Sequence, residues 1–345
     1  MHRPLEGLIV VELARLLPAP LVGMVLRDLG ATVFKIEFLP RGDSLRGSLL
    51  FDLLNRGKYS LAIPPTELSA LLAKLLPRAQ VLLTNYRPAT QRELGLLPEV
   101  LLKAYPHLVY VNLLGFSDGR PGHDLNFLAE SGVLERLRPS PAHPPIVPGF
   151  LFGDILGGSA SALIRLLASL YHQARTGQGG YLPITMREEI LRWSLATAHL
   201  YQLSGGQLPP PGADFLSGGM PAYRVYATAD GRYIAVAALE EKFWEEFCQF
   251  LGRPDLIPYG RTLHDPYPHQ EIEKIFAAAS WAEWVERLKD TAFCVTPVYT
   301  FAEAIQAPWA QEIWQKGFLC FTPPGEELHV PALGEHNAYL TRWLE

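Results

Sequence analysis

Residues 8–37 read LIVVELARLLPAPLVGMVLRDLGATVFKIE. Leu8–Leu13 is a nearly unbroken apolar run, expected as a buried strand. Leu21–Gly30 reads as a helix, and Thr32–Glu37 as a second strand. Strands that are apolar at successive positions, rather than at alternate ones, belong to a sheet covered on both faces, which means a mostly parallel sheet. Working outward, Ser60–Ile63, Val81–Thr84 and Leu108–Leu113 are further strands, with helical stretches at Glu67–Leu76 and Leu97–Tyr105 between them. The fold class expected is α/β, with a Rossmann-like sheet that presents ligands at the carboxyl ends of its strands.

Beyond this block, Asp154 opens a helical stretch to about Thr176, Tyr181–Thr185 is a strand, and Met186–Leu203 is a helix. Ser204–Ala222, rich in glycine and proline, reads as a linker. Tyr223–Leu239 then alternates apolar and polar residues on both sides of Asp230-Gly231, a strong hairpin signal. Helical segments at Glu241–Leu251, Gln270–Ala279 and Trp281–Lys289 complete a smaller α+β domain. The expected division is a large domain over 1–203, with 310–345 returning to it, a linker over 204–222 and a small domain over 223–309.

A chain of 345 residues that is 48% hydrophobic can bury two cores. Thirty basic against 35 acidic side chains leave a net charge of −5, so no overall field favours nucleic acid or anionic lipid. Cys248, Cys294 and Cys320 are scattered and lack CxxC spacing, as expected of reduced thiols in a cytoplasmic protein. The first residues carry no signal-peptide pattern. The apolar stretch Ile155–Tyr171 contains Arg165 and many small residues, and is expected to fall short of a membrane span. The ten histidines form no metal-ligand pattern.

The opening strand–loop–helix invites a dinucleotide-binding reading, with Glu37 on the ribose. The loop Ala14–Pro20 (ARLLPAP) has no glycine, so its backbone cannot approach a pyrophosphate as a GxGxxG turn does. Three other segments are candidates. In Gly122-His123-Asp124-Leu125-Asn126, His123 sits at a strand-to-helix junction where a general base could act. Equally, the segment could be a helix cap. In Phe152-Gly153-Asp154-Ile155-Leu156-Gly157-Gly158-Ser159, Asp154 could cap a helix or act as base or nucleophile. Its neighbouring glycines would let another backbone or a ligand come close. Asn85-Tyr86-Arg87-Pro88 with Arg92 could bind a nucleotide by stacking and phosphate pairing, or be a solvated loop.

Together these segments resemble the family III CoA-transferase and α-methylacyl-CoA racemase family. The match runs through PLEGLIVVEL, DLGATVFKIE, RGDSLRG, LNRGKYSLAI, VLLTNYRPATQRELGL, LVYVNLLGF, GHDLNFLAESG, GDILGG, RTGQGGYLPITM and PALGEHNAYL. The resemblance implies an interlocked homodimer, an acyl-CoA substrate and lipid metabolism, with coenzyme A entering as part of the substrate and no metal or other cofactor. It implies a catalytic set of His123, Asp154 and the small-domain acid Glu240, with the backbone at Asp124 supporting the enolate oxygen. CoA would be held by Arg41, Arg46, Arg56, Lys58, Ile63, Asn85, Tyr86, Arg87 and Arg92. Phe38 stands where some members carry a CoA-binding arginine. Histidine at 123 favours racemisation of 2-methylacyl-CoA thioesters. The alternative is CoA transfer through an anhydride on Asp154.

Overall fold

The computed structural model describes residues 3–263, 265–316 and 328–344. Cys320 and the remainder of 317–327 lie outside the described residues. Strands β1 (Ile9–Leu13), β2 (Thr32–Phe38), β3 (Tyr59–Ile63), β4 (Val81–Thr84), β5 (Val109–Leu114) and β6 (Gly180–Thr185) form one sheet. Their order is β3-β2-β1-β4-β5-β6, and every pairing is parallel. The apolar runs follow from the two covered faces. Val11, Leu13, Phe34, Ile36 and Leu82 enter one core with the Leu68–Leu75 helix. Their neighbours Val10, Val33, Val81 and Leu83 enter another, with the Pro18–Asp28 and Ser161–Thr176 helices.

The chain moves outward from β1 through β2 to β3, then returns to the other side of β1 for β4, β5 and β6. That reversal opens a crevice at the carboxyl ends of β1 and β4, where sheets of this kind receive ligands.

Three helical expectations are corrected. The first helix begins at Pro18 rather than Leu21, since Pro18 and Pro20 fall in its first turn, where no intrahelical N–H bond is required. The stretch expected as one helix over Met186–Leu203 is two, Met186–Trp193 and Leu195–Leu203. Between them Ser194 turns its hydroxyl back to Ile190 O at 2.9 Å. The stretch from Asp154 begins as a π-helix over Phe152–Ala160 before continuing as the Ser161–Thr176 α-helix. Contrary to expectation, Phe152–Thr176 is long and apolar enough, by length and composition, to cross a membrane. In the structure Ala162, Leu166 and Leu170 of this helix pack into a core against the sheet.

The first of two compact units comprises Met1–Val133, Pro148–Leu195 and Glu312–Glu345. Within it the chain end docks on β3. Asn337 accepts the Ala62 N–H at 2.9 Å and donates to Ala62 O at 2.8 Å, and Leu340 enters the core.

The second unit comprises Leu134–Val147 and Ala196–Gln311. Its sheet is antiparallel, in the order β7 (Tyr223–Ala227), β8 (Tyr233–Ala237), β9 (Val295–Pro297). Tyr226, Ile234, Phe247, Phe276 and Trp284 fill its core. The tract read as a linker is a packed part of this unit. Asp214 pairs with Arg136 at 2.6 Å, and a Cβ on Gly212 would meet Pro139 O at 2.0 Å. Of the cysteines, Cys248 is buried, which pushes its thiol up to about 12, and Cys294 is exposed.

Candidate functional site

Loops leaving β1, β4 and β5 enclose a cavity of about 440 Å³ at the carboxyl edge of the sheet. Leu16 and Leu17 come from the first loop, Asn85 and Arg87 from the second, and Arg120 and His123 from the third. Asp154 reaches the same cavity from the π-helix. Leu45, Leu114, Phe127 and Met186 give it apolar walls.

His123 is the N-cap of the Asp124–Glu130 helix. The cap is secured by Asn126, whose side-chain oxygen accepts the His123 N–H at 3.0 Å, and the imidazole is left exposed. The segment is therefore a helix cap, and it also places His123 on the cavity. Asp124 is buried, and its carboxylate accepts the backbone N–H of Asp154 at 2.9 Å. This bond ties the histidine-bearing loop to the start of the π-helix. Asp154 is half-buried. Burial, reinforced by the negative charge of Asp124 and opposed by His123, raises its carboxyl to about 6.

The glycines around Asp154 answer to packing. A Cβ on Gly153 would meet Asp124 Oδ1 at 3.0 Å and Phe127 at 3.1 Å. On Gly157 it would meet Met186 O and Ile190 at 2.8 Å. What comes close is therefore neighbouring protein. The π-helix is held to the start of the Pro18–Asp28 helix by Ser159, whose hydroxyl donates to Pro18 O at 2.7 Å. Insertions of this kind are frequent at functional sites, since they re-aim a side chain without ending the helix.

The residues expected to hold CoA divide into several groups. Arg87 lines the cavity, is exposed, and its guanidinium has no partner among the described residues. Asn85 lines it too, but its amide is committed to the β1 loop, accepting the Arg15 N–H at 3.2 Å and donating to Arg15 O at 2.8 Å. Tyr86 is buried, with the Arg15 guanidinium 5.8 Å from its ring centre. Arg41 and Arg92 are exposed and do not line the cavity. Arg56 is half-buried, and its carbonyl accepts from Arg27 at 2.6 Å.

Three of these residues have side chains committed within the protein itself. Lys58 is fully enclosed, its ammonium bonded to Glu12 at 2.7 Å, Pro20 O at 2.9 Å and Asn55 at 3.1 Å. Ile63 is a core residue. Arg46 spends its donors on Glu37, Ser60 and Pro331 O. The Lys58 and Arg46 charges are thus spent on groups of the protein itself.

Sequence reasoning missed Arg120, which lines the cavity three positions before His123 and is paired with Asp118 and Glu130. Its nearness to His123 in the same loop was the available signal. Also missed was a buried ion cluster beneath the cavity. Lys35 bonds Glu12 at 3.1 Å, Asp43 at 3.4 Å and Ala14 O at 2.8 Å. Burial works against the Lys35 charge, but Glu12, Asp43 and Glu37 outweigh it and hold the ammonium above the usual lysine range. At Lys58 burial is the larger effect, and with Glu12 attracting the charge but Lys35 and Arg27 opposing it, the ammonium is pulled down to about 8. The signal was the charged residues interrupting the first two apolar strands, Glu12 in β1 and Lys35 and Glu37 in β2.

Glu240 is the N-cap of the Glu241–Phe250 helix in the second unit, and is exposed there. Among the described residues no group of three or more metal-ligating side chains could hold a metal ion.

Residues 5–333 match the model of CoA-transferase family III. The chain is 35% identical over 312 residues to a human protein named alpha-methylacyl-CoA racemase, covering 87% of this chain and 79% of that one. It is 29% identical over 374 residues to succinyl-CoA–D-citramalate CoA-transferase from Chloroflexus aurantiacus, covering 97% and 92%. Among solved structures, a CAIB/BAIF family protein from Brucella suis superposes with a TM-score of 0.80 at 25% identity, over all of both chains. With the parallel sheet, the cavity at its reversal point and a match along most of its length, the chain belongs to CoA-transferase family III.

Proposed function

We propose that this enzyme inverts the α-carbon of 2-methylacyl-CoA thioesters by two-base proton transfer, with His123 and Asp154 as the pair. The observation that carries the reading is that an exposed imidazole and a carboxyl raised to about 6 border one apolar-walled cavity. One group removes the α-proton, and the C–H electron pair moves into the thioester carbonyl to give an enolate. The other group returns a proton to the opposite face. A carboxyl near 6 populates both of its forms close to neutrality, as a group that is base in one direction and acid in the other must. The first N–H groups of the Asp124–Glu130 helix have no intrahelical acceptor and suit the enolate oxygen. Coenzyme A enters as part of the substrate, and no other cofactor has a role in this chemistry.

The second reading is CoA transfer. Asp154 would attack the acyl carbonyl, expel CoA thiolate and carry the acyl group as an anhydride. The likeness to the Chloroflexus transferase favours it. Incubating a chiral 2-methylacyl-CoA in D2O without an acceptor acid separates the two. Racemisation exchanges the α-proton and scrambles the centre, and His123→Ala and Asp154→Asn each lower that exchange by about a hundredfold or more. Absence of exchange until a carboxylic acid is added would overturn the racemase reading in favour of transfer. We further propose that the active form is a cytoplasmic homodimer of interlocked chains, in which Glu240 of one chain serves the His123 and Asp154 of the other.

A further inference from the structure

Two non-glycine residues among those described have positive φ, and one of them is Leu16, at 67°. A leucine there carries backbone strain, and nothing in its local sequence removes it. The strain is sustained from below. The Asp43 carboxylate accepts the Leu16 N–H, with its oxygens at 3.2 and 3.4 Å. Asp43 is itself buried and fixed on every side. Lys35 lies 3.4 Å from one oxygen, the other accepts the Leu45 N–H at 3.1 Å, and the Asp43 N–H donates to Glu37 at 2.9 Å. Lys35 also grips Ala14 O at 2.8 Å, while Asn85 holds both backbone groups of Arg15 from the other side. The loop is thus held residue by residue from β2 and β4. Leu16 and Leu45, the two residues whose N–H groups Asp43 accepts, both line the cavity that holds His123 and Asp154.

We propose that Asp43 is a positioning residue that holds Leu16 in the left-handed conformation, making the Leu16 side chain the wall that sets which acyl chains the cavity accepts. A loop free to relax would place position 16 in an ordinary conformation with its side chain redirected. Substrate discrimination would then follow from the buried Glu12–Lys35–Asp43 cluster, none of whose carboxylates or ammonium groups lines the cavity. The inference rests on the acyl-CoA reading of this cavity, though not on whether the reaction is racemisation or transfer.

The test compares wild type, Leu16→Gly, Leu16→Ala, Asp43→Ala and the Asp43→Ala/Leu16→Gly double variant. Each is titrated calorimetrically with free CoA, a short straight acyl-CoA and a long 2-methyl-branched acyl-CoA. Glycine adopts positive φ without strain, so Leu16→Gly keeps or raises the thermal midpoint while removing the wall. The expected result is that Leu16→Gly and Leu16→Ala shift the long-to-short affinity ratio by about tenfold, the scale on which an apolar pocket discriminates. Affinity for free CoA stays within about twofold of wild type, a change that lies outside the discriminating range. Asp43→Ala shifts the same ratio, and adds nothing further in the Leu16→Gly background, since it acts through that residue. An unchanged ratio in Leu16→Gly overturns the wall. Additive shifts in the double variant overturn positioning by Asp43. Should Asp43→Ala fail to fold, Asp43→Asn takes its place, since it keeps one acceptor for the Leu16 N–H. It should retain more of the wild-type ratio than the Leu16 variants do, and a ratio as altered as theirs counts against positioning through that bond. Wild type that binds none of the thioesters defeats the acyl-CoA reading itself, a result separate from any change in ratio.

Discussion

Asp124 Oδ1 accepts the backbone N–H of Asp154 at 2.9 Å, so two motifs thirty positions apart are fixed to each other by a side chain that is itself buried. The bond sets where Asp154 sits, and the Asp124 charge helps to set when it ionises. Replacing Asp124 with asparagine keeps an acceptor oxygen and removes the charge. The Asp154 carboxyl should then fall below about 6, and the acid limb of the exchange-rate profile should move to lower pH. Asp124→Ala also loses the bond, and should lower exchange by a further factor of about ten through misplacement of Asp154. Both follow from pH–rate curves. An acid limb that stays in place in Asp124→Asn would show that burial alone raises Asp154.

A carboxyl raised from 3.8 to about 6 makes stability depend on pH in a definite direction. Between those values the folded chain binds more protons at Asp154 than the unfolded chain does, so stability falls as pH rises. The favourable contribution is complete below about 3.8 and lost above about 6. Asp154→Asn should therefore be more stable than wild type at pH 7.5, by about 1–2 kcal/mol after discounting for partial solvent access. The gain should shrink towards pH 4. Urea melts at the two pH values check this, and an equal effect at both would remove the ionisation argument.

Arg87 lines the cavity without a partner of its own among the described residues, and we propose that it holds the CoA portion. Arg87→Ala should raise KM and weaken free CoA binding about tenfold while kcat changes little, the signature of uniform binding lost from a remote handle. Arg92→Ala, away from the cavity, should bind CoA as wild type does. Calorimetry with CoA decides between them, and equal losses would mean that the nucleotide extends beyond this cavity.

If Glu240 serves the site of a partner chain, Glu240→Ala and Asp154→Ala chains should complement each other. Co-expressed and purified as mixed dimers, they should recover about half of wild-type activity, because one of the two shared sites is intact. Mixed dimers as inactive as either parent would rule out sharing.

Strands β1 to β5 were legible from the sequence because both faces of the sheet are buried there, and such strands leave nearly continuous apolar runs with no competing period. The β7–β8 hairpin was legible for a different reason: Asp230-Gly231 supplies a turn that fixes its own register. His123 and Asp154 were legible as motifs with two open readings each. Their cap and packing partners, Asn126, Phe127, Met186 and Ile190, settled what the surrounding residues do. The partners of Lys58 and Arg46 were not legible, because sequence shows that a residue is cationic, but not where its charge is spent. Their partners Glu12 and Glu37 lie on β1 and β2.

By itself, then, the sequence determined the alternation of strands and helices, the parallel sheet and the presence of a histidine and an aspartate in family-like settings. These are properties of local periodicity, turn chemistry and residue type, which act over a few neighbours along the chain. Only the tertiary structure decided that Asp124 anchors Asp154, that the tract over 204–222 is packed rather than free, and that Leu16 is held in a strained conformation by Asp43. Each of these depends on one buried polar group meeting another far away in sequence. Removal from water makes such a partner obligatory, and the fold alone determines which residue it will be.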